Sequence, residues 1–169
     1  MKHSLKNKYE NVRIRQLEES DLEYLREWRN NPANTKYLNQ LPYITIEMQK
    51  SWYHSYLADD SEMIFAIEET IDVKRIVGSM ALYNFEEDTV EFGKILIGEP
   101  QAHGKSVGVN ALEAIKKIAK SELGMKSIYL HVYKDNIGAL KVYEKSGFVV
   151  EDTHFTENGF EEYTMRVRL

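Results

Sequence analysis

The chain has 169 residues, 43% of them hydrophobic and 29% charged, a formal net charge of -5 and no cysteine. That length and composition suit one domain with a substantial core, while the missing cysteine removes disulfides, thiolate metal sites and an acyl-cysteine intermediate. The acidic balance without a basic run argues against duplex nucleic acid, and the lack of a membrane-length apolar run or a signal-peptide core points to a cytoplasmic protein with no membrane partner.

Residues 12–17 alternate and predict a first strand. Ser20 and Asp21 offer caps for a helix carrying Leu22, Leu25 and Trp28 on one face. Asn30-Asn31-Pro32 ends it, and the loop that follows carries Tyr37 and, near its end, Tyr43. Thr45 can cap another helix, along which Met48, Trp52 and Tyr56 recur every four residues. Residues 63–68, 75–84 and 89–97 read as strands, the last two separated by Glu86-Glu87-Asp88. After a polar turn over 99–108, Val109, Leu112, Ile115, Ala119 and Leu123 recur at helical spacing, and Gly124 supplies a left-handed stop. Residues 127–133 alternate, with Ile128, Leu130 and Val132 on one face and Tyr129, His131 and Tyr133 on the other. Asp135-Asn136 can cap a helix that ends at Gly147. Residues 148–153 and 162–168 then form a hairpin around Asn158-Gly159. No repeat, linker or low-complexity segment interrupts this order, so the expectation is a single domain over 1–169 built on a mixed α/β sheet.

The turn His103-Gly104-Lys105-Ser106-Val107-Gly108 joins a buried strand to a helix N-terminus. There the first amides lack intrahelical partners and the macrodipole favours negative charge. Its glycines let the backbone approach a phosphate, and Lys105 adds charge; the plainer alternative is a turn that only reverses the chain. Gly98 to Gly104-Lys105-Ser106 also has the look of a P-loop, but five residues separate the glycines where that motif needs four. No later strand ends in an obvious magnesium-binding Asp, which counts further against a P-loop phosphotransferase.

Together, Glu91-Phe92-Gly93, Ile97-Gly98-Glu99-Pro100 and the 103–108 turn resemble the acetyl-CoA motif of the GCN5-related N-acetyltransferases (GNAT), Gln/Arg-x-x-Gly-x-Gly/Ala. His103 stands at the Gln/Arg position, and Ser106 replaces the middle glycine. Asn136-Ile137-Gly138-Ala139, Tyr143-Glu144-Lys145 and Gly147-Phe148 are similar to the family's second motif. Trp28-Arg29-Asn30-Asn31-Pro32 resembles the branch that acetylates ribosomal-protein N-termini, polyamines and amino sugars. The resemblance runs from about residue 12 to 168. It implies a mostly antiparallel central sheet flanked by about four helices. That sheet would splay into a V between the strands near 91–97 and 127–133, with the pantetheine arm of acetyl-CoA in the gap. It further implies cofactor contacts from Leu96, Ile97 and Gly98 through backbone groups, including an oxyanion-type donor, and from His103, Gly104, Lys105, Ser106, Val107, Gly108, Asn136, Ala139 and Tyr143.

Acetyl transfer to an amine needs the amine neutral, the carbonyl polarised and the departing thiolate protonated. A primary ammonium with a pKa of about 10.4 is mostly charged at neutral pH, so a base helps. Without cysteine, direct attack in a ternary complex is expected. The resemblance makes Tyr143 the general acid; periodicity alone would have it pack its helix. Asn136 would orient cofactor or water, or simply cap its helix. Glu91 is the candidate base, acting through water, with a solvated strand-start carboxylate as the alternative. The five histidines show no metal-ligand spacing, so no metal is expected. Trp28, Arg29, Tyr37 and Tyr43 would suit an amino sugar on a nucleotide or a peptide N-terminus. A polyamine would ask for carboxylates, whereas 34–43 holds Lys36, Asn39 and Gln40 and no acid. The reading leaves room for a homodimer. A non-catalytic acetyl-CoA-binding module is the alternative from another functional class.

Overall fold

The computed structural model describes residues 1–38 and 42–169. The chain runs β1 (Asn7–Tyr9), β2 (Val12–Gln16), α1 (Leu22–Asn30), α2 (Ile46–Ala58), β3 (Glu62–Glu69), β4 (Arg75–Tyr83), β5 (Thr89–Ile97), α3 (Val107–Ser121), β6 (Ser127–Tyr133), α4 (Ile137–Lys145), β7 (Val149–Phe155) and β8 (Glu161–Arg168). The strands form one eight-stranded sheet in the order β1-β2-β3-β4-β5-β6-β8-β7. Each neighbouring pair is antiparallel except β5 with β6. This is the mixed, mostly antiparallel sheet with four helices that the family resemblance implies. The unexpected strand is β1, whose Asn-Lys-Tyr is too short and polar to show a period.

The centre of the sheet is buried on both faces, which is why β3 reads as a nearly continuous apolar run. Phe65 and Ile67 join the cluster under α3, with Ile115 and Ile118, while Ile64 and Ala66 join the cluster under α1 and α2, with Leu25, Trp28 and Tyr56. The two faces differ at α2. Thr45 caps it, its hydroxyl accepting the Met48 N–H at 3.2 Å, but the buried side is Gln49, Tyr53 and Tyr56. Met48 and Trp52, the other members of the four-residue stripe, face a cleft instead. At α1 the cap also differs: Asp21 closes a one-turn helix before Leu22, accepting the Glu18 N–H at 2.8 Å. Gly124 and Gly147 stop their helices with φ of +70° and +85°.

Two features of β5 shape the site. It pairs with β6 for three residues only, Thr89–Ser127, Val90–Ile128 and Glu91–Tyr129, after which the strands part. A polar clasp fixes that seam: Thr89 Oγ1 lies 2.6 Å from Ser127 Oγ, and Arg166 donates to both at 2.9 and 3.1 Å. Farther along, Ser79 pairs with Leu96 but Ala81 pairs with Gly93, so β5 carries one residue more than β4 in that interval. Lys94 takes up the bulge at φ +52°. A bulge bends its strand and sharpens the local twist, and here it carries β5 away from β6.

Candidate active site

A cleft of about 830 Å³ lies where β5 and β6 diverge. Its floor is Tyr83, Lys94 and Leu96 on the β4–β5 side and His131 and Tyr133 on the β6 side, with Asn136, Ala139 and Tyr143 of α4 closing one wall. Arg29, Tyr37, Met48 and Trp52 form the opposite mouth. Tyr37 spans that mouth, donating its hydroxyl to the Asp135 carbonyl at 3.0 Å.

Tyr143 is 6% exposed. Its ring meets Phe92 edge-on, with centroids 6.3 Å apart, and lies 6.0 Å from Phe148. Burial pushes its phenol up to about 12. Among the described residues its hydroxyl has no hydrogen-bond partner, although it borders the cleft. Asn136 caps α4, its side-chain oxygen accepting the Ala139 N–H at 3.2 Å, which leaves its amide NH2 for the cleft it also lines.

The α3 N-terminus lies beside this wall. A Cβ at Gly108 would come within 3.3 Å of Val142 Cγ1, so glycine lets the first turn of α3 approach α4. Ser106 holds the N-cap position at φ +58° and makes no side-chain cap, so the opening amides stay available to an anion. The helix thus begins at Val107, two residues earlier than its apolar period suggests. Lys105 is turned aside: its ammonium pairs with Asp72. His103 Nε2 bonds with the Ile97 carbonyl at 3.1 Å.

Several expected site residues stand elsewhere. Gly98 cannot serve as an oxyanion donor, because its N–H goes to the Val77 carbonyl at 3.0 Å. Its lack of a side chain instead admits Trp28, whose Cγ would lie 2.1 Å from a Cβ there. Trp28 itself is core, 7% exposed and absent from the cleft lining. Tyr43 also lies outside that lining; it is 69% exposed and accepts from Arg26 at 3.1 Å. Asn39 and Gln40 lie outside the described residues.

Glu91 is not a solvated strand-start carboxylate. It is 8% exposed and accepts from Asn84 Nδ2 at 2.6 Å and the Tyr129 hydroxyl at 3.2 Å. It does not border the cleft, but Tyr83, its cross-strand neighbour, does. Burial first, and the charge of the Glu91 carboxylate across the strand pair second, raise the Tyr83 phenol well above its ordinary value. Gly93 makes this possible, since a Cβ there would stand 2.3 Å from the Tyr83 hydroxyl. Reasoning from the sequence missed Tyr83; the signal was its place opposite Glu91 in the β4–β5 pairing.

A largely buried phenol, the open amides of a helix N-terminus and a split between two parallel strands thus meet at one cleft. Residues 11–149 match the family model described as an acetyltransferase (GNAT) domain, and the chain belongs to that family. Spermidine N(1)-acetyltransferase of Vibrio cholerae serotype O1 is 29% identical over 149 residues, 87% of this chain and 83% of that protein. Acetyltransferase PseH of Campylobacter jejuni (serotype O:23/36) is 27% identical over 137 residues, 81% of this chain and 82% of that one. The crystal structure of the V. cholerae spermidine N-acetyltransferase in complex with CoA and spermine superposes with a TM-score of 0.79 at 25% identity. That match covers 94% of this chain and 95% of that one. The P-loop reading falls with this fold, and the chain is an N-acetyltransferase by family. No helix among the described residues is long and apolar enough to cross a membrane.

Proposed function

We propose that the chain moves the acetyl group of acetyl-CoA to a primary amine by direct attack within a ternary complex. The observation that carries this is the hydroxyl of the largely buried Tyr143, which borders the cleft at the strand split and has no hydrogen-bond partner among the described residues. The amine nitrogen attacks the thioester carbonyl carbon, and the tetrahedral intermediate expels the CoA thiolate. Tyr143 gives that sulfur its proton. The proton lost by the amine passes to the Tyr83 phenol as Tyr83 gives its own to Glu91, so Glu91 acts as base at one remove. The amides opening α3 would hold the pyrophosphate, and Asn136 and Leu96 would line the path of the pantetheine arm.

The cleft chemistry narrows the acceptor. Its lining has Arg29, Lys36 and Lys94 against two carboxylates, Glu62 and Glu162, among the described residues. Both are already engaged, Glu62 by Lys94 and Glu162 by His154. A polycation would find little free negative charge there, so the acceptor amine sits on a neutral or anionic scaffold, such as a nucleotide-linked amino sugar or a peptide. The test is a thiol-release assay with acetyl-CoA against amino sugars, peptides and polyamines. Release with an amino sugar or peptide is expected. Spermidine as the best acceptor would overturn the acceptor assignment, and no thiol release with any amine, despite CoA binding, would overturn catalysis.

A further inference from the structure

A second grouping of side chains borders the cleft without a part in acetyl transfer. His131 lies on β6 beyond the point where β5 leaves it, His154 on β7 and Glu162 on β8, and the order β6-β8-β7 sets them side by side. His154 and Glu162 are cross-strand partners; His131 pairs with Thr164, two residues along β8 and so on the same face as Glu162. One donor atom from each of the three lies within 4.8 Å of the other two. His154 Nε2 stands 3.2 Å from a Glu162 carboxylate oxygen. Donors around a tetrahedral zinc, each about 2.0–2.1 Å from the metal, stand about 3.3 Å apart. One edge of such a polyhedron is therefore present, and a donor of the exposed His131 lies within 4.8 Å of both other groups, about 1.5 Å from closing the remaining edges. The Thr164 hydroxyl, 3.2 Å from His131 Nδ1, supplies an orienting partner. With Nδ1–H donating to it, Nε2 keeps a free lone pair, as in ligating imidazoles steadied by an outer hydrogen bond.

We propose that His131, His154 and Glu162 bind a divalent transition-metal ion such as Zn(II), with a further coordination position open to the cleft. Two imidazoles and one carboxylate select zinc and its transition-metal neighbours over magnesium and calcium, which prefer oxygen ligands. The site needs no acetyl-CoA, so its occupancy is read independently of turnover.

Calorimetric titration of the chelator-treated chain with zinc chloride, and separately with magnesium chloride, tests it. One zinc per chain is expected, with no saturable magnesium binding. His154→Ala and Glu162→Gln should each weaken zinc binding by about tenfold or more, and Thr164→Val should weaken it by about tenfold. Zinc should also raise the thermal midpoint of the wild type but not of His154→Gln, a variant that retains a polar side chain on the strand. These positions are exposed or half-buried strand surface, and circular dichroism verifies that each variant folds. No zinc binding by the wild type, magnesium binding as tight as zinc, or zinc binding that survives His131→Ala with His154→Ala would overturn the site. The last outcome would place the ion on His3, His54 or His103.

Discussion

Burial keeps the Tyr143 phenol protonated across the whole range in which an amine is acetylated, because its pKa lies at about 12. Its ring is held by Phe92 and Phe148, so Tyr143→Phe removes the hydroxyl and keeps the packing. A positioned acid is worth about 10²–10⁴ in rate, and a thiol pKa near 8.5 makes the leaving group undemanding, so turnover should fall by about 10². CoA affinity by calorimetry should match the wild type; equal turnover would reduce Tyr143 to a packing residue. Glu91 and Tyr83 make a different prediction. Glu91→Gln and Tyr83→Phe should both slow turnover at neutral pH, and both should recover as pH rises toward the amine's own pKa of about 10. A Glu91→Gln profile parallel to the wild type at every pH would remove the relay.

At the scale of elements, the turn into α3 is under strain that one substitution can relieve. Ser106 at φ +58° occupies a left-handed conformation that costs an L-residue about 1–2 kcal/mol, against about 0.5–1 kcal/mol of extra chain entropy for glycine. Ser106→Gly should therefore raise stability by about 0.5 kcal/mol, measured as a shift of the urea midpoint, without weakening CoA binding. Gly98→Ala should do the opposite. A methyl group driven against Trp28 overpacks the α1–β5 contact and should cost about 1–3 kcal/mol.

The same elements show what a linear reading can hold. Strands β5 and β6 and helices α3 and α4 were legible because their apolar periods and stops are local properties, and a motif on one helix pointed to Tyr143, which borders the cleft. Trp28 was misplaced because an aromatic on a helix face looks alike whether it meets core or cleft. The α2 stripe of Met48, Trp52 and Tyr56 failed for the same reason, since that helix serves both. Gly98 looked like a cofactor contact because nothing local reveals that β4 takes its N–H. The His131, His154 and Glu162 grouping has no sequence spacing at all; its members come together only through the pairing of three strands.

For the whole molecule, two carboxylates at the β2–β3–β4 end tie stability to pH. Burial alone would raise Glu69, but the N–H groups of Ile71, Asp72 and Val73, at 3.0, 2.8 and 2.6 Å, outweigh it and hold its pKa below the ordinary value. Burial likewise opposes, and the Arg13 and Arg15 guanidiniums overcome, at Glu68. A carboxylate depressed in the folded state contributes stability above its unfolded pKa and loses it as pH falls through the folded one. The urea midpoint should therefore drop as pH falls from about 5 to 3, and Glu69→Gln should lower it at pH 7 while flattening that drop. An unchanged slope in Glu69→Gln would show that Glu69 carries none of the acid sensitivity.

The brevity of the β5–β6 seam has a consequence beyond the cleft it opens. Strand edges are hazards because their unpaired amides recruit other chains, and proteins ordinarily blunt them at the rim of the sheet. Here two more lengths of edge lie in the middle, past Glu91 on β5 and past Tyr129 on β6. Walls of helix flank them, and the Tyr37–Asp135 bond spans their mouth. Amyloid-like stacking or capture of a neighbour's strand calls for a whole polypeptide ribbon laid along an open edge, and these edges are not open at the rim of the sheet. A slim arm bearing its own amides, as in the proposed cofactor, would meet these edges from the cleft side, so the same surface would serve a small molecule while lying away from other proteins.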